Sequence, residues 1–299
     1  MWTNMRSAAS KYWALGAASL FGGGTAWATP HDGGINFQSP ATKTAENIQS
    51  FHNEVLIIIT VITVFVTALL IWVMIRYNKR SNPVPKKFSH NTTIEILWTV
   101  VPVLILVWIA KGSFPLLYEQ DVMPAEAREE EIVDIKVYGN MWFWDYTYNV
   151  GSDQEFNVES RMLKAGAPDA SLELHPERGD IAQLSVNNPM VAPIGKYVRL
   201  KISAKDVIHA WTIPQFMIKV DAMPGKLNQL WFKVDEPGVF YGQCSELCGK
   251  DHSNMPIELR MVTEPQYAEW QRLYKESPEQ ARAYLDQVRP KPAQVASAQ

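Results

Sequence analysis

The sequence has few cysteines, little net charge and no internal repeat. Only 2 of its 299 residues are cysteine, and 28 basic residues face 31 acidic ones, giving a formal net charge of -3. A chain with this balance offers no basic field, so nucleic acid is excluded as a partner. Apolar residues are plentiful instead. They make up 47% of the chain, which excludes a disordered protein and allows one globular domain with membrane segments.

Acidic residues are concentrated in one part of the chain. Residues 118–190 contain 15 acidic against 5 basic residues. This segment is therefore predicted to attract a basic partner. Such attraction between exposed charges acts over the Debye length, about 8 Å at physiological ionic strength.

The N-terminus has the features of a secretory signal peptide. Two basic residues precede an apolar run rich in glycine and alanine, which ends in the cleavage pattern Ala26-Trp27-Ala28. We predict a signal peptide over residues 1–28 and an exported segment over residues 29–54. The alternative is an uncleaved first membrane helix, which the shortness of the run and its glycines disfavour.

Two apolar stretches are predicted to form a transmembrane helical hairpin over residues 55–117. Residues 55–75 carry no charge and are long enough to cross a hydrocarbon core of about 30 Å. The second span, residues 94–114, contains Pro102, which membrane helices tolerate; a buried core helix is the alternative for this stretch. Five basic residues and no acidic one lie between the spans, so the connecting loop is predicted to be cytoplasmic and both flanks exported.

After the second span the pattern changes to short β-branched runs separated by glycine, proline and asparagine turns. Residues 132–138, 197–202 and 230–234 are typical of strands. We predict an all-β domain over residues 118–264, built as a sandwich or small barrel. Residues 265–299 are predicted to form a polar helix followed by a disordered tail.

Both cysteines lie in one short segment with a histidine and a methionine. Residues 242–255 read GQCSELCGKDHSNM, in which Cys244, Cys248, His252 and Met255 follow the spacing Cys-x3-Cys-x3-His-x2-Met. Thiolate, imidazole and thioether together favour copper over hard cations. Two cysteines can bridge a pair of copper ions through both sulfurs, so that the two metals share one electron.

Two other interpretations of this segment stay open. A disulfide between the cysteines is ordinary in an exported domain, but it would leave the neighbouring histidine and methionine unexplained. Zinc is the next alternative, although methionine is a poor zinc ligand. A second histidine, His209 in the run VIHAW, lies upstream, where a separate strand could bring it to the loop.

Five segments of the sequence together resemble one known family. They read GQCSELCGKDHSNMPIEL, VIHAWTIP, DAMPGKLNQLWF, GNMWFWDYTY and TIEILWTVVPVLIL, and they are similar to subunit II of aa3-type, haem-copper cytochrome c oxidases of the bacterial, proton-pumping branch. The resemblance covers roughly residues 36–262. It implies a cupredoxin-like Greek-key barrel on a two-helix transmembrane hairpin, in the bacterial inner membrane with the copper domain on the periplasmic side.

The resemblance also implies a function. Such a subunit accepts electrons from a c-type cytochrome at a dinuclear copper A centre and passes them to haem a in subunit I, where oxygen is reduced. Quinol-oxidising relatives share the fold but lack the cysteines, so the cysteines favour a cytochrome donor. A membrane-tethered copper carrier and a disulfide-stapled structural module are the alternatives.

Carried over residue by residue, the resemblance implies six copper ligands. They are the side chains of His209, Cys244, Cys248, His252 and Met255 and the main-chain carbonyl of Glu246. The carboxylate of Glu246 would hold a magnesium ion at the boundary with subunit I, as a hard oxygen ligand can. The alternative for that carboxylate is a solvated loop acid.

Three further residues are expected to act in electron or proton transfer. By resemblance, Trp142 is the point where electrons enter, and Glu95 marks the mouth of a proton pathway. The alternatives are a strand residue of half-buried aromatic character for Trp142 and a helix-start acid for Glu95. From the acidic balance of its region, Asp206 is predicted to steer a basic cytochrome. Thr147 and Lys205 occupy positions where relatives often carry acids, so the docking pattern departs from the family.

Overall fold

Two long helices precede a β-rich domain, and two short helices follow it. The computed structural model of the protein describes residues 36–289, so the predicted signal peptide and the tail beyond residue 289 lie outside the described residues. The helices are α1 Lys43–Arg76, α2 Thr92–Asp121, α3 Glu264–Glu276 and α4 Pro278–Gln287. The strands are β1 Ile132–Asn140, β2 Phe143–Tyr148, β3 Phe156–Ser160, β4 Met190–Pro193, β5 Tyr197–Ala204, β6 His209–Ile213, β7 Ile218–Ala222, β8 Asn228–Lys233, β9 Gly238–Gln243 and β10 Pro256–Val262.

Helices α1 and α2 contain the two predicted spans and extend beyond them. Both are long and apolar enough to cross a membrane. They are longer than the apolar stretches because polar residues cap their first turns and join their ends on the β-domain side. Thr42 accepts a hydrogen bond from the Ala45 N–H (3.1 Å), and Glu119 of α2 accepts hydrogen bonds from Thr44 (3.0 Å) and Asn47 (3.2 Å) of α1.

The β-domain confirms the prediction of a cupredoxin-like fold. One sheet has the order β3-β2-β1-β5-β8, a second has β4-β10-β9, and β6 pairs with β7. Strands β1 and β5 run parallel, as do β4 and β10, whereas the other pairs are antiparallel. Parallel neighbours that are distant in sequence require crossovers between the sheets, which is how a Greek-key barrel closes.

The core lies between the two larger sheets. Trp144, Tyr146 and Tyr148 alternate along β2, and each is fully buried. These three aromatic residues therefore follow the period of two of a strand. Trp142, for which a strand residue was the alternative, lies outside the strand, because β2 begins at Phe143 and Trp142 belongs to the β1–β2 connection.

The region after the barrel contains two helices, where the sequence predicted one. Ser277 ends α3 and caps α4 by accepting a hydrogen bond from the Gln280 N–H (3.3 Å), and Pro278 starts the new helix. Proline suits the first turn of a helix because its missing N–H would have no partner there. The pair packs on the barrel through Trp270, which is 1% exposed and meets the Tyr148 ring edge-on at 5.0 Å.

Candidate metal centre

Three chain segments meet at one end of the barrel. His209 opens β6, Cys244 follows β9, and Met255 directly precedes β10. Main-chain hydrogen bonds join the segments: Ser245 donates to the Ala210 carbonyl at 3.0 Å, and Cys244 donates to the Met255 carbonyl at 3.1 Å. The loop of residues 244–255, which we call the metal loop, is therefore held closed at the ends of β9 and β10, the two strands that it connects.

Two glycines let these segments approach each other. A Cβ atom at Gly242 would lie 1.8 Å from the Thr212 carbonyl oxygen, so only glycine allows β9 to lie this close to β6. A Cβ at Gly139 of β1 would lie 2.7 Å from the His209 ring. The two glycines therefore set the positions of the Cys244 loop and of the His209 imidazole.

The structure brings together all six predicted copper ligands. The Cys244 and Cys248 sulfurs lie 3.8 Å apart, and both cysteines are free. The Cys244 sulfur is 3.9 Å from His209 Nδ1 and 3.3 Å from the Glu246 carbonyl oxygen. The Cys248 sulfur is 3.4 Å from His252 Nδ1 and 3.7 Å from the Met255 sulfur. Each sulfur thus has its own imidazole and its own weaker donor, while the two sulfurs face each other.

This donor set fits a pair of copper ions. Two buried thiolates placed side by side could bridge two metals, and one imidazole with one weak ligand would complete each of them, a donor set that suits copper. His209, Cys244 and Cys248 are buried, which would keep water from competing for a bound metal. Among the described residues, these three side chains form a cluster whose ligand atoms all lie within 4.8 Å of one another, which is the spacing of a metal site.

The protein environment prepares Cys244 for ionisation. Burial alone would raise its pKa, but hydrogen bonds with His209 and with main-chain groups outweigh burial and lower the pKa to about 7 from 9.0. Burial and the neighbouring Cys244 thiolate raise the pKa of Cys248. A metal ion bound at this pair would therefore displace a proton from Cys248.

Asp206 contacts the candidate centre from outside. Its Oδ1 lies 2.8 Å from His209 Nε2 and accepts a hydrogen bond from the Val207 N–H at 2.7 Å, while Oδ2 accepts one from the Met141 N–H at 2.6 Å. Burial opposes ionisation, but these hydrogen bonds hold the pKa of Asp206 below its usual value. A carboxylate on the far nitrogen of a ligating histidine fixes the tautomer and the ring orientation.

The sequence prediction for Asp206 missed this inward contact. Steering of a cytochrome by Asp206 stays a prediction, and a structural role is added to it. The only available signal was the spacing of three residues between Asp206 and His209, which is too common to identify a support for a metal ligand.

Trp142 lies against the metal loop. Its indole Nε1 donates a hydrogen bond to the Cys248 carbonyl at 3.1 Å. Its ring also covers Gly249, whose φ of +115° favours glycine and whose Cβ position lies 3.3 Å from the ring. Trp142 is only partly buried, so an indole that contacts a ligand residue is also accessible to solvent.

Glu246 and Glu95 occupy different surroundings. The Glu246 carboxylate is half exposed and lies 3.9 Å from Lys219 Nζ. Glu95 lies in the first turn of α2 and accepts a hydrogen bond from the Asn91 N–H at 3.2 Å, as a helix-start acid does. The magnesium role of Glu246 and the proton-pathway role of Glu95 both stay predictions.

Comparison with known proteins gives the same assignment. Residues 133–262 match the family model described as cytochrome c oxidase subunit II, periplasmic domain, and residues 30–116 match the transmembrane domain of the same subunit. Cytochrome c oxidase subunit 2 of Cereibacter sphaeroides is 40% identical over 251 residues, covering 81% of this chain and 80% of the relative. A probable cytochrome c oxidase subunit 2 of Rickettsia bellii is 42% identical over 236 residues, covering 79% of this chain and 82% of the relative.

Solved structures of the same subunit also match. The periplasmic domain of subunit II of cytochrome oxidase from Bradyrhizobium japonicum is 41% identical, with a TM-score of 0.41, and the match covers 48% of this chain and 94% of that domain. The matches to known sequences extend over both the membrane helices and the β-domain, in the order found here. The chain therefore belongs to the cytochrome c oxidase subunit II family, whose members are components of an oxidoreductase complex.

Proposed function

We propose that this chain accepts electrons from a c-type cytochrome at a dinuclear copper A centre and passes them to haem a in subunit I, which reduces oxygen. The observation that carries the proposal is the paired arrangement of donors around Cys244 and Cys248, with a different imidazole beside each sulfur. Two bridged coppers would supply a one-electron couple. The chain supplies a ligand cage whose buried, hydrogen-bonded residues need not move when the charge changes.

Contacts around the metal loop support one side for electron entry and another side for contact with subunit I. Trp142 joins solvent to the Cys248 peptide and is proposed as the point where electrons enter. On the Glu246 segment, Leu247 is 78% exposed, and such a large exposed apolar side chain is suited to a partner surface. We propose that subunit I covers this segment and that the Glu246 carboxylate binds a magnesium ion shared with it.

The proposed setting is the bacterial inner membrane. The chain is a membrane protein with a β-domain outside the membrane, and its five basic loop residues favour a cytoplasmic loop between α1 and α2. In the topology that we propose, the copper domain lies in the periplasm. Glu95 then lies near the cytoplasmic end of α2, where a proton pathway into subunit I could begin.

Purification of the complex from its membrane tests the proposed function. We expect haem a absorption bands to copurify with this chain, two coppers per chain by metal analysis, and an electron paramagnetic resonance signal of one spin shared by two coppers. The rival function is a membrane-tethered copper carrier, which would bind one labile Cu(I) and give no such signal. One copper per chain without haem would therefore contradict the proposal and favour the carrier.

We predict that Asp206→Asn weakens copper binding by about 10- to 100-fold, as the loss of a carboxylate behind a ligating histidine typically does. The amide can still accept from the His209 ring, but it cannot replace a carboxylate that accepts from His209, Val207 and Met141 together. Competition for copper against a chelator of known affinity measures the effect without any cytochrome.

A matched control separates this supporting role from simple loss of charge. Glu159→Gln removes one exposed acid, paired with Arg161 at 2.5 Å, which touches none of the copper ligands. We expect this variant to retain the parental copper affinity. Equal copper affinity in Asp206→Asn and the parent would show that Asp206 does not support His209.

A further inference from the structure

Apolar side chains surround Trp142 on the surface of the domain. Met141, Val207 and Ile208 are 45%, 38% and 40% exposed, and Asp206 ties them together through its hydrogen bonds to the Met141 and Val207 N–H groups. We call Met141, Trp142, Val207 and Ile208 the Trp142 face. Three exposed apolar residues beside a partly exposed indole form a contact surface for another molecule.

The charges beside the Trp142 face are not predominantly acidic. Asp145 is 8% exposed and is covered by Lys205, whose Nζ lies 2.5 Å from its carboxylate and whose own side chain is 50% exposed. Both carboxylate oxygens of Asp206 accept hydrogen bonds from inside the domain. Lys250, next to the Gly249 that the Trp142 ring covers, is exposed. The Asp206 carboxylate keeps its charge and is 26% exposed, so the two exposed lysines and the acids nearly balance each other at this face.

The acidic residues counted along residues 118–190 lie mainly elsewhere. Glu129, Glu130 and Glu131 directly precede β1, whereas Trp142 follows its last residue by two. A nine-residue strand spans about 26 Å at about 3.3 Å per residue. That distance is about three Debye lengths at physiological ionic strength, so these acids contribute little field at the Trp142 face.

Acids between β2 and β3 are also distant. Asp153 and Glu155 lie in the connection after Tyr148, which pairs with Ile135 near the start of β1. They are therefore at the opposite end of the sheet from Trp142. Glu159, which lies opposite Asp145 in the sheet, is paired with Arg161. The acidic excess of this part of the sequence therefore does not become an unpaired acidic surface at the metal loop.

We propose that the Trp142 face docks a c-type cytochrome whose haem edge is surrounded by apolar, weakly charged groups, and that Lys205 disfavours a lysine-rich partner. Apolar contact would supply the affinity, because opposite charges across the interface are few. Lys205 neutralises Asp145, and its exposed ammonium lies on the solvent side of this ion pair, so an approaching ring of lysines would meet the positive end first. This proposal rests on the proposed function and specifies the donor to the same site.

Stopped-flow reduction of the purified oxidase complex tests this proposal with two probes, a lysine-rich cytochrome c and a c-type cytochrome with an uncharged haem edge. We expect the uncharged probe to react faster. We also expect the rate with the lysine-rich probe to change by less than about threefold between low and physiological ionic strength. The association rates of electrostatically steered protein pairs change much more over the same range of salt. In Lys205→Glu and in Lys250→Glu, the lysine-rich probe should react about tenfold faster at low salt and gain a steep salt dependence.

Lys196→Glu is the matched control for charge. Lys196 and Lys205 flank the two ends of β5, about 30 Å apart at about 3.3 Å per residue, so the control makes the same charge change far from Trp142. We expect its rates to equal those of the parent. Met141→Gln tests the apolar contact, and should raise the concentration of the uncharged probe needed for half-maximal rate several-fold without changing its salt dependence.

Three outcomes would overturn the proposal. A steep salt dependence of the parent with the lysine-rich probe would show that acids dominate the face. Unchanged rates in both Lys205→Glu and Lys250→Glu would place docking elsewhere, and if one variant folds poorly, an unchanged rate in the other carries the same conclusion. If a small-molecule reductant reduces the copper of the parent but neither cytochrome does, the proposed cytochrome donor itself is contradicted. This outcome is distinguishable from loss of the copper centre, because the copper is still reduced by the small molecule.

Discussion

Cys244→Ser or Cys248→Ser is expected to abolish the proposed two-copper centre. The two sulfurs lie 3.8 Å apart, and each faces a different imidazole, so a single remaining thiolate cannot bridge two metals that are also held by His209 and His252. A serine hydroxyl is a hard and weak donor at neutral pH. Copper content should fall from two per chain to one or none, and the shared-spin signal should disappear.

The domain itself should survive these substitutions. Cysteine and serine have nearly the same shape, and burying an imperfectly paired hydroxyl costs about 1–3 kcal/mol of folding free energy. Met255→Leu is the matched control, since it removes the thioether from the same site, where Met255 is 1% exposed, with little change in volume. We expect this control to keep both coppers and to shift only their reduction potential. A serine variant with two coppers and an unchanged spin signal would contradict the bridging arrangement.

The metal loop could be predicted because its chemistry is local. Cys244, Cys248, His252 and Met255 lie within twelve residues, so no tertiary contact is needed to bring them near each other. His209 was assigned only by resemblance, because its position depends on how β6 lies beside the loop after β9. The close approach that Gly242 permits, with the Thr212 carbonyl where a Cβ would be, could not be derived from spacing.

The membrane hairpin was predicted in its apolar parts and missed at its ends. Hydropathy identifies the residues that contact lipid, but α1 continues for twelve residues before residue 55 through a polar turn that starts after Thr42. These residues are helical because Thr42 caps the helix and because Glu119 bonds Thr44 and Asn47. Capping and helix–helix contacts of this kind depend on tertiary structure rather than on hydrophobic pattern.

The roles of charged residues were the hardest to predict. A count of acids along the sequence treats them as one surface, whereas β1 separates Glu129–Glu131 from Trp142 by its full length. The sequence likewise showed Lys205 and Asp145 as separate charges, although their side chains form an ion pair. The direction of the Asp206 carboxylate, toward His209 and two N–H groups, depends on the β1–β2 connection and has no sequence signature.

Trp142→Ala is expected to lower the rate of electron transfer from the cytochrome at least about tenfold, equivalent to about 1.4 kcal/mol of activation free energy, while changing affinity much less. The indole donates to the Cys248 carbonyl and covers Gly249, so its loss removes the aromatic contact between a docked donor and a ligand residue. Trp142 carries no charge, and long-range encounter should therefore stay intact. Stopped-flow reduction at increasing cytochrome concentration separates the transfer rate from the affinity.

Two control variants distinguish this role from general damage to the domain. Truncation of a core tryptophan would cost about 3–5 kcal/mol and would disturb the metal site, so each variant must first be shown to bind two coppers. Phe143→Ala removes the neighbouring ring, which packs under Arg161 at 3.8 Å rather than on the metal loop, and it should transfer electrons at the parental rate. Trp142→Phe restores a ring without the N–H and should give an intermediate rate if the hydrogen bond to Cys248 contributes. Trp142→Ala lacks the indole contact with the Cys248 carbonyl. A parental transfer rate at parental affinity in this variant would therefore exclude Trp142 as the point where electrons enter.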